Sequence, residues 1–467
     1  MRGIKKFFKG KQAIAVIAAT MASIIGLTAC GVGTNRPNGG GEEVQTISVG
    51  YFEGAYLDTH WKSWEKLYNE AHPNEKIELT LDGDGSYGSA VENLLMTGVV
   101  PDIMVAPMTW RKYASKNWLE PLEDVYSADF GNGKTLEGAL NNEIKNNLKF
   151  KNKYYAVPFS EYMTGIAVNK GFFDEHGWDI PETMADMLDI INKISQLPEN
   201  KDADADNNIS AFAWSGVESQ YYWNYVMNTW WADYGGISQI STFKKMADPS
   251  VYLLSGREKA VDALLTLIGG NKSPKNCAEG VIGATNLEAQ MLFVQGKALM
   301  MPNASWLEVE MLKNTPEGFE MVLVAPPTIE GGSGEKNLYG HVDEWLIIPQ
   351  AAENKDAAKK FVSFIFSEKG LLDFFEKTNT TSVFNIDYAK ANTEQLTAFG
   401  KSVLSLRSER KIFYSESSSP LMYMGLANFW QYKMVTEMVT QGQTAKEIVQ
   451  YDYNHVVSDW NSWQKQI

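Results

Sequence analysis

Side chains able to do chemistry occur in three patterns in this 467-residue sequence: alternating aspartates, acids beside aromatic rings, and isolated cysteines and histidines. In DADADNNIS, Asp202, Asp204 and Asp206 occupy the first, third and fifth places of a calcium loop, where alternate carboxylates converge on one ion. Asn207 replaces the loop's glycine and Ala213 its bidentate glutamate, so an EF-hand is excluded; a calcium-stiffened loop and a plain solvated turn both remain. In HVDEWLII, Glu344 and Trp345 set an acid beside an indole ahead of an apolar strand, where either can face a cleft and Trp345 can equally seal the core. The run YYWNYVMNTWWADYGG is dense in aromatics, yet Trp223, Met227 and Trp230 fall at helical spacing. Most of it therefore reads as a packed helix face, with Trp223 or Trp231 left as a rim contact. The scattered histidines form no H-E-x-x-H, and no nucleophile elbow is present, so metalloprotease and serine-hydrolase chemistry lack support. No motif singles out the carboxylate pair, about 5 to 9.5 Å apart, of a glycoside hydrolase; such an enzyme stands as the rival reading.

Length and composition set the frame that must hold these groups. The chain exceeds one ordinary core and implies two large lobes, at roughly 100 to 200 residues per domain. Fourteen Trp, 21 Tyr and 21 Phe are more than a core needs, and such rings suit a ligand with apolar faces and polar edges. Residues 1–29 read as a signal peptide: Arg2, Lys5, Lys6, Lys9 and Lys11 precede an uncharged run from Ala13 to Leu27. As a helix that run rises only about 22 Å, short of the roughly 30 Å hydrocarbon core. Leu27, Thr28, Ala29 and Cys30 resemble the lipobox of bacterial lipoproteins, in which the cysteine carries the lipid. Residues 30–43, rich in Gly and polar groups, form a flexible tether spanning about 20 Å. Cys277 is then unpaired and reads as a small buried residue, with no disulfide framework or cysteine metal site. Losing the five leader cations takes the net charge from −15 to −20, which excludes a nucleic-acid partner and leaves the lipid anchor as the only membrane contact.

The mature sequence alternates strand and helix. QTISVGYF reads as a strand, DTHWKSWEKLYNEAH as a helix, EKIELTLDG as a strand, GSYGSAVENLLMTG as a helix closed by Gly98, and PDIMVAP as a short buried strand. Such repeats imply a parallel α/β sheet, whose ligands sit beyond the carboxyl ends of the strands. That rule selects Phe52 and Glu53, the stretch from Asp82 to Tyr87, and Met108 to Trp110. Pro158 interrupts KYYAVPFSEYMTGIAVNKGFF and marks a crossover between lobes.

Taken together and in order, GVVPDIMVAP, KNKYYAVPFSEYMTGIAVNKGFFDEHGWDIPET, LFVQGKALMMPNASWL, EWLIIPQAAENKDAAKKFVSFIFSEKG and ANFWQY resemble the extracellular solute-binding proteins of carbohydrate ABC importers. The resemblance covers nearly all of the mature chain. It implies an α/β, two-lobe, periplasmic-binding-protein-like fold of type II, each lobe a mixed sheet flanked by helices, joined by crossover hinge segments. Lobe 1 would take 44–160 plus 329–380, and lobe 2 161–328 plus 381–467. It further implies a monomer, needing no cofactor beyond a structural calcium at most, that binds a sugar or oligosaccharide in the inter-lobe cleft and delivers it to ABC permease subunits. Its lipid would hold it on the outer face of the bacterial cytoplasmic membrane.

A sugar presents a ring face of C–H groups and an edge of hydroxyls, so its site needs flat aromatics beside hydrogen-bonding side chains. The resemblance places a stacking aromatic at Trp306, after Asn303 in MMPNASW, and another at Trp430 in NFWQY, where Phe429 and Tyr432 can equally form a buried face. It places a hydroxyl-gripping acid at Glu161, beside Tyr162; the alternative is a surface acid at a crossover. Relatives also make contacts near the positions of Glu53 and Trp110. Ala106 and Thr109 stand where maltose binders carry an aromatic and an acid, which argues against maltose.

Overall fold

The expected alternation forms from the first strand onward, in a computed structural model that describes residues 44–467 except 53–57, 85–86, 202–207, 271–274, 343, 415–416 and 428–434. Cys30 and the leader, Glu53, Asp202, Asp204, Asp206 and Trp430 lie outside the described residues. The chain lays down β1 (Gln45–Phe52), β2 (Ile77–Asp84), β3 (Ile103–Ala106), a hairpin of β4 (Asp129–Gly131) and β5 (Lys134–Thr135), and β6 (Val157–Pro158). Then come β7 (Tyr162–Asn169), β8 (Ser210–Phe212), β9 (Ala298–Ala304), β10 (Met321–Val324), β11 (Asn337–His341), β12 (Trp345–Ile347) and β13 (Lys411–Phe413).

Two mixed sheets result. The first runs β2-β1-β3-β12-β6, with β1 parallel to both β2 and β3, and β12 antiparallel to β3. The second runs β13-β11-β7-β9-β8, and β10 pairs with the far end of β7. β7 is buried along its whole length, as a central strand covered on both faces must be. Residues 329–341 were expected in lobe 1, but β11 pairs with β7 and β13 in the second sheet, and the return to the first falls between His341 and Trp345.

Helices cover both sheets. In the helix Thr59–Ala71, Trp61, Trp64 and Tyr68 fall on one face and pack into the first core, and Trp64 Nε1 donates to the Gly370 carbonyl at 2.9 Å. The helix Tyr222–Gly235 is enclosed on nearly every side by the second core, which explains its aromatic density. Capping boxes at Thr183, Thr285 and Thr444 fix three helix starts. Among the described residues no helix is long and apolar enough to cross a membrane.

The crossing segments lie side by side. Phe159 N–H donates to the Glu344 carbonyl at 2.9 Å, and Glu161 N–H to the Thr381 carbonyl at 3.1 Å. Pro158, last residue of the edge strand β6, ends one sheet as the sequence required.

Candidate ligand-binding cleft

Strand direction decides what meets between the sheets. In the first, β1 ends at Phe52 and β3 at Ala106, and Trp345 pairs in register with Ala106, so Glu344 arrives beside that same end. In the second, Thr164 pairs with Ala304, so the start of β7 and the residues after β9 share one end. There Ser305 N–H donates to the Met163 carbonyl at 2.9 Å, which sets Trp306 next to Tyr162. The two ends face a cavity of about 390 Å³, within the range of small-ligand sites. Its walls include Phe52, Val105 and Pro107 from the first lobe, and Tyr162, Tyr222 and Trp306 from the second.

Trp306 is held by tyrosines. Tyr162 meets it edge-on with ring centres 4.7 Å apart, Tyr222 lies 5.4 Å away, and Tyr225 6.3 Å away. Its half-buried ring is thereby fixed in orientation while part stays open to the cavity. Polar groups stand around it. The Tyr162 hydroxyl donates to Glu344 Oε2 at 3.1 Å, and Ser160 Oγ reaches the same oxygen at 3.4 Å. Glu310, one helical turn beyond Trp306, accepts from Gln290 Nε2 at 2.6 Å; burial raises its carboxyl pKa and that hydrogen bond partly offsets the rise. Asn286 completes the described polar lining, accepting from Ser219 Oγ at 2.6 Å.

Of the residues singled out in the sequence, Phe52, Tyr162, Trp306 and Glu344 line this cavity. The remaining described ones do not. Glu161 is fully buried among the crossings, where Arg407 Nε donates to its Oε2 at 2.9 Å and the Tyr414 hydroxyl to its Oε1; it is spent on an internal ion pair. Trp110 and Trp345 pack on each other in the first core with ring centres 5.6 Å apart, because alternation along β12 turns Glu344 and Trp345 to opposite sides. Trp223 packs on Phe212 in the second core, and Trp231 is buried with it, so neither is a rim contact. Asn303 is enclosed beside β7, its Oδ1 accepting from the Ala304 N–H at 2.8 Å. Tyr87 turns inward with Val91 and Leu95, and its hydroxyl fills the space beside Gly50, where an added Cβ would sit 2.0 Å away. Cys277 is buried as expected, accepts from Trp214 Nε1 at 3.3 Å, and its thiol pKa is pushed up to about 12 by that burial. Among the described residues no cluster of His, Cys, Asp or Glu could hold a metal ion.

Sequence reasoning missed Tyr221, Tyr222 and Tyr225, together with Asn286 and Glu310. The tyrosines were absorbed into a generic buried helix. Their chemistry was the available signal: in the first turn Trp223 points to the core, while Tyr221, Tyr222 and Tyr225, rings tipped with hydroxyls, gather at the end nearest Trp306. Glu310 carried a signal as well, lying four residues beyond Trp306 and so on its face of the helix Leu307–Met311.

Comparison with known proteins agrees with this architecture. The chain is 23% identical over 364 residues to the multiple sugar-binding protein of Streptococcus mutans, covering 76% of this chain and 80% of that one. It is 24% identical to a maltooligosaccharide ABC transporter solute-binding lipoprotein of Streptococcus pneumoniae, covering 83% and 84%. The solved ABC substrate-binding protein Lmo0181 of Listeria monocytogenes, in complex with cycloalternan, superposes with a TM-score of 0.62 at 15% identity over 90% of this chain and 100% of that one, a likeness of fold alone. Residues 54–371 match the family described as bacterial extracellular solute-binding protein, a family of binders and not of enzymes, and the chain belongs to it.

Proposed function

We propose that this protein captures a sugar or short oligosaccharide between its lobes and hands it to the permease of an ABC importer. The observation that carries the reading is Trp306, half-buried, braced by tyrosines and ringed by Glu344, Glu310 and Asn286 at the mouth between two sheets. A braced indole offers a flat apolar platform for a sugar ring, and the polar groups around it meet the hydroxyl edge. The ligands named for these relatives, multiple sugars, maltooligosaccharides and cycloalternan, are all carbohydrates, which supports a carbohydrate as the ligand class. The ligand bridges the lobes, and the adjoining crossing segments act as the hinge on which they close. Cys30 carries the lipid that keeps this trap on the outer face of the cytoplasmic membrane, near its permease.

A panel of neutral oligosaccharides tests the reading through tryptophan fluorescence, followed by chromatography of the recovered ligand. At least one sugar should shift the emission of Trp306 and be recovered uncut. A panel without a binder would falsify sugar capture, and a cleaved sugar would restore the glycoside-hydrolase reading.

A further inference from the structure

The described lining of the cavity contains two carboxylates, Glu310 and Glu344, and no lysine, arginine or histidine. Both acids are positioned: Gln290 holds Glu310 at 2.6 Å, and the Tyr162 hydroxyl holds Glu344 at 3.1 Å. The rest of the lining is largely aromatic or aliphatic, with Phe52, Val105, Pro107 and Trp306 prominent. Among the described residues, then, water is partly excluded and every formally charged side chain of the lining is acidic. An anionic ligand group brought there loses hydration and meets like charge, with no basic side chain among the described lining residues to receive it. A hydroxyl meets acceptors instead. An ammonium group meets two carboxylates and the face of an indole, where a cation is attracted to the ring.

We propose that the cleft discriminates sugars by charge, accepting neutral and amino sugars and rejecting those that carry a carboxylate. This rests on the reading that the cleft binds sugars, and it adds a substrate class to it. Phe52, Val105 and Pro107 on the first-lobe wall have apolar side chains that offer a uronate no hydrogen-bond donor.

The test is isothermal titration calorimetry on the full chain in detergent with matched trios of disaccharides. Each trio holds a glucose or galactose disaccharide, its amino-sugar counterpart and its uronate counterpart, in α and β linkages. In any trio with a binder, the uronate should bind more than about tenfold more weakly than the neutral or amino member, and the double substitution Glu310→Gln with Glu344→Gln should narrow that gap. A uronate within tenfold of its neutral counterpart overturns the charge rule while leaving sugar capture standing. A gap unchanged by the double substitution overturns the role given to the two acids. Binding by no member of any trio overturns the rule together with the sugar reading.

Discussion

Glu161 and Glu344 were both candidate ligand acids, and only Glu344 reaches the cavity. The difference lies in their partners. Glu161 meets Arg407 and Tyr414 from a distant part of the chain, contacts that no local pattern announces. Removing its charge while keeping its shape strands a mostly buried guanidinium, so Glu161→Gln should lower stability by about 3 kcal/mol, read as a reduced guanidinium chloride midpoint with an unchanged slope. His60 makes a second prediction. It is enclosed by Trp61, Trp64, Phe159 and Phe374, and burial lowers its pKa to about 3, against a weaker opposing pull from Asp58. The unfolded chain takes up this proton near pH 6.5 and the folded chain does not. Its contribution is therefore complete above about pH 6.5 and is lost as pH falls from there toward 3. His60→Phe should flatten that part of the stability profile, measured by urea unfolding across the interval. Trp306 was legible because it follows a strand end that resembles known sugar sites. Trp110, Trp223 and Trp345 were not, since an indole serves a core as readily as a cleft and only the facing element decides.

Elements were easier to read than residues. The strand Gln45–Phe52, the helices from Thr59 and Tyr87, and the buried strand Ile103–Ala106 were all visible as a change of period from two to about 3.6. Their cleft-facing ends followed from the parallel arrangement, and this found Phe52 with no help from relatives. Pairing between distant strands was not visible. β7 sits between β9 on one side and β10 with β11 on the other, and at Gly165 a neighbouring backbone comes close. A Cβ there would lie 2.1 Å from the Val324 carbonyl oxygen, so one backbone must move. Gly165→Ala should cost on the order of 2 kcal/mol, seen as a lower melting temperature, because the clash is with a paired strand and not with a side chain that can swing away.

At the scale of the whole molecule, the two-lobe fold was implied by resemblance more than by periodicity. Period reports which face of a strand is buried, and not which sheet it joins; hence the misplacement of residues 329–341, which enter the second sheet through β11. The same architecture makes function a property of the pair of lobes. The first brings Phe52 and the Glu344 crossing, the second brings Trp306 with its tyrosines, and neither alone encloses the cavity. If the proposed sugar bridges the lobes, loss of the platform on one side weakens capture by the whole protein. The most direct measurement is calorimetric comparison of the wild type with Trp306→Ala, using a sugar from the neutral panel. Loss of the stacking surface should cost about 1 to 3 kcal/mol of binding free energy, roughly a five- to 150-fold rise in Kd, with the fold intact by circular dichroism. An affinity unchanged by the substitution would contradict the account, since the sugar would then be held somewhere other than against Trp306.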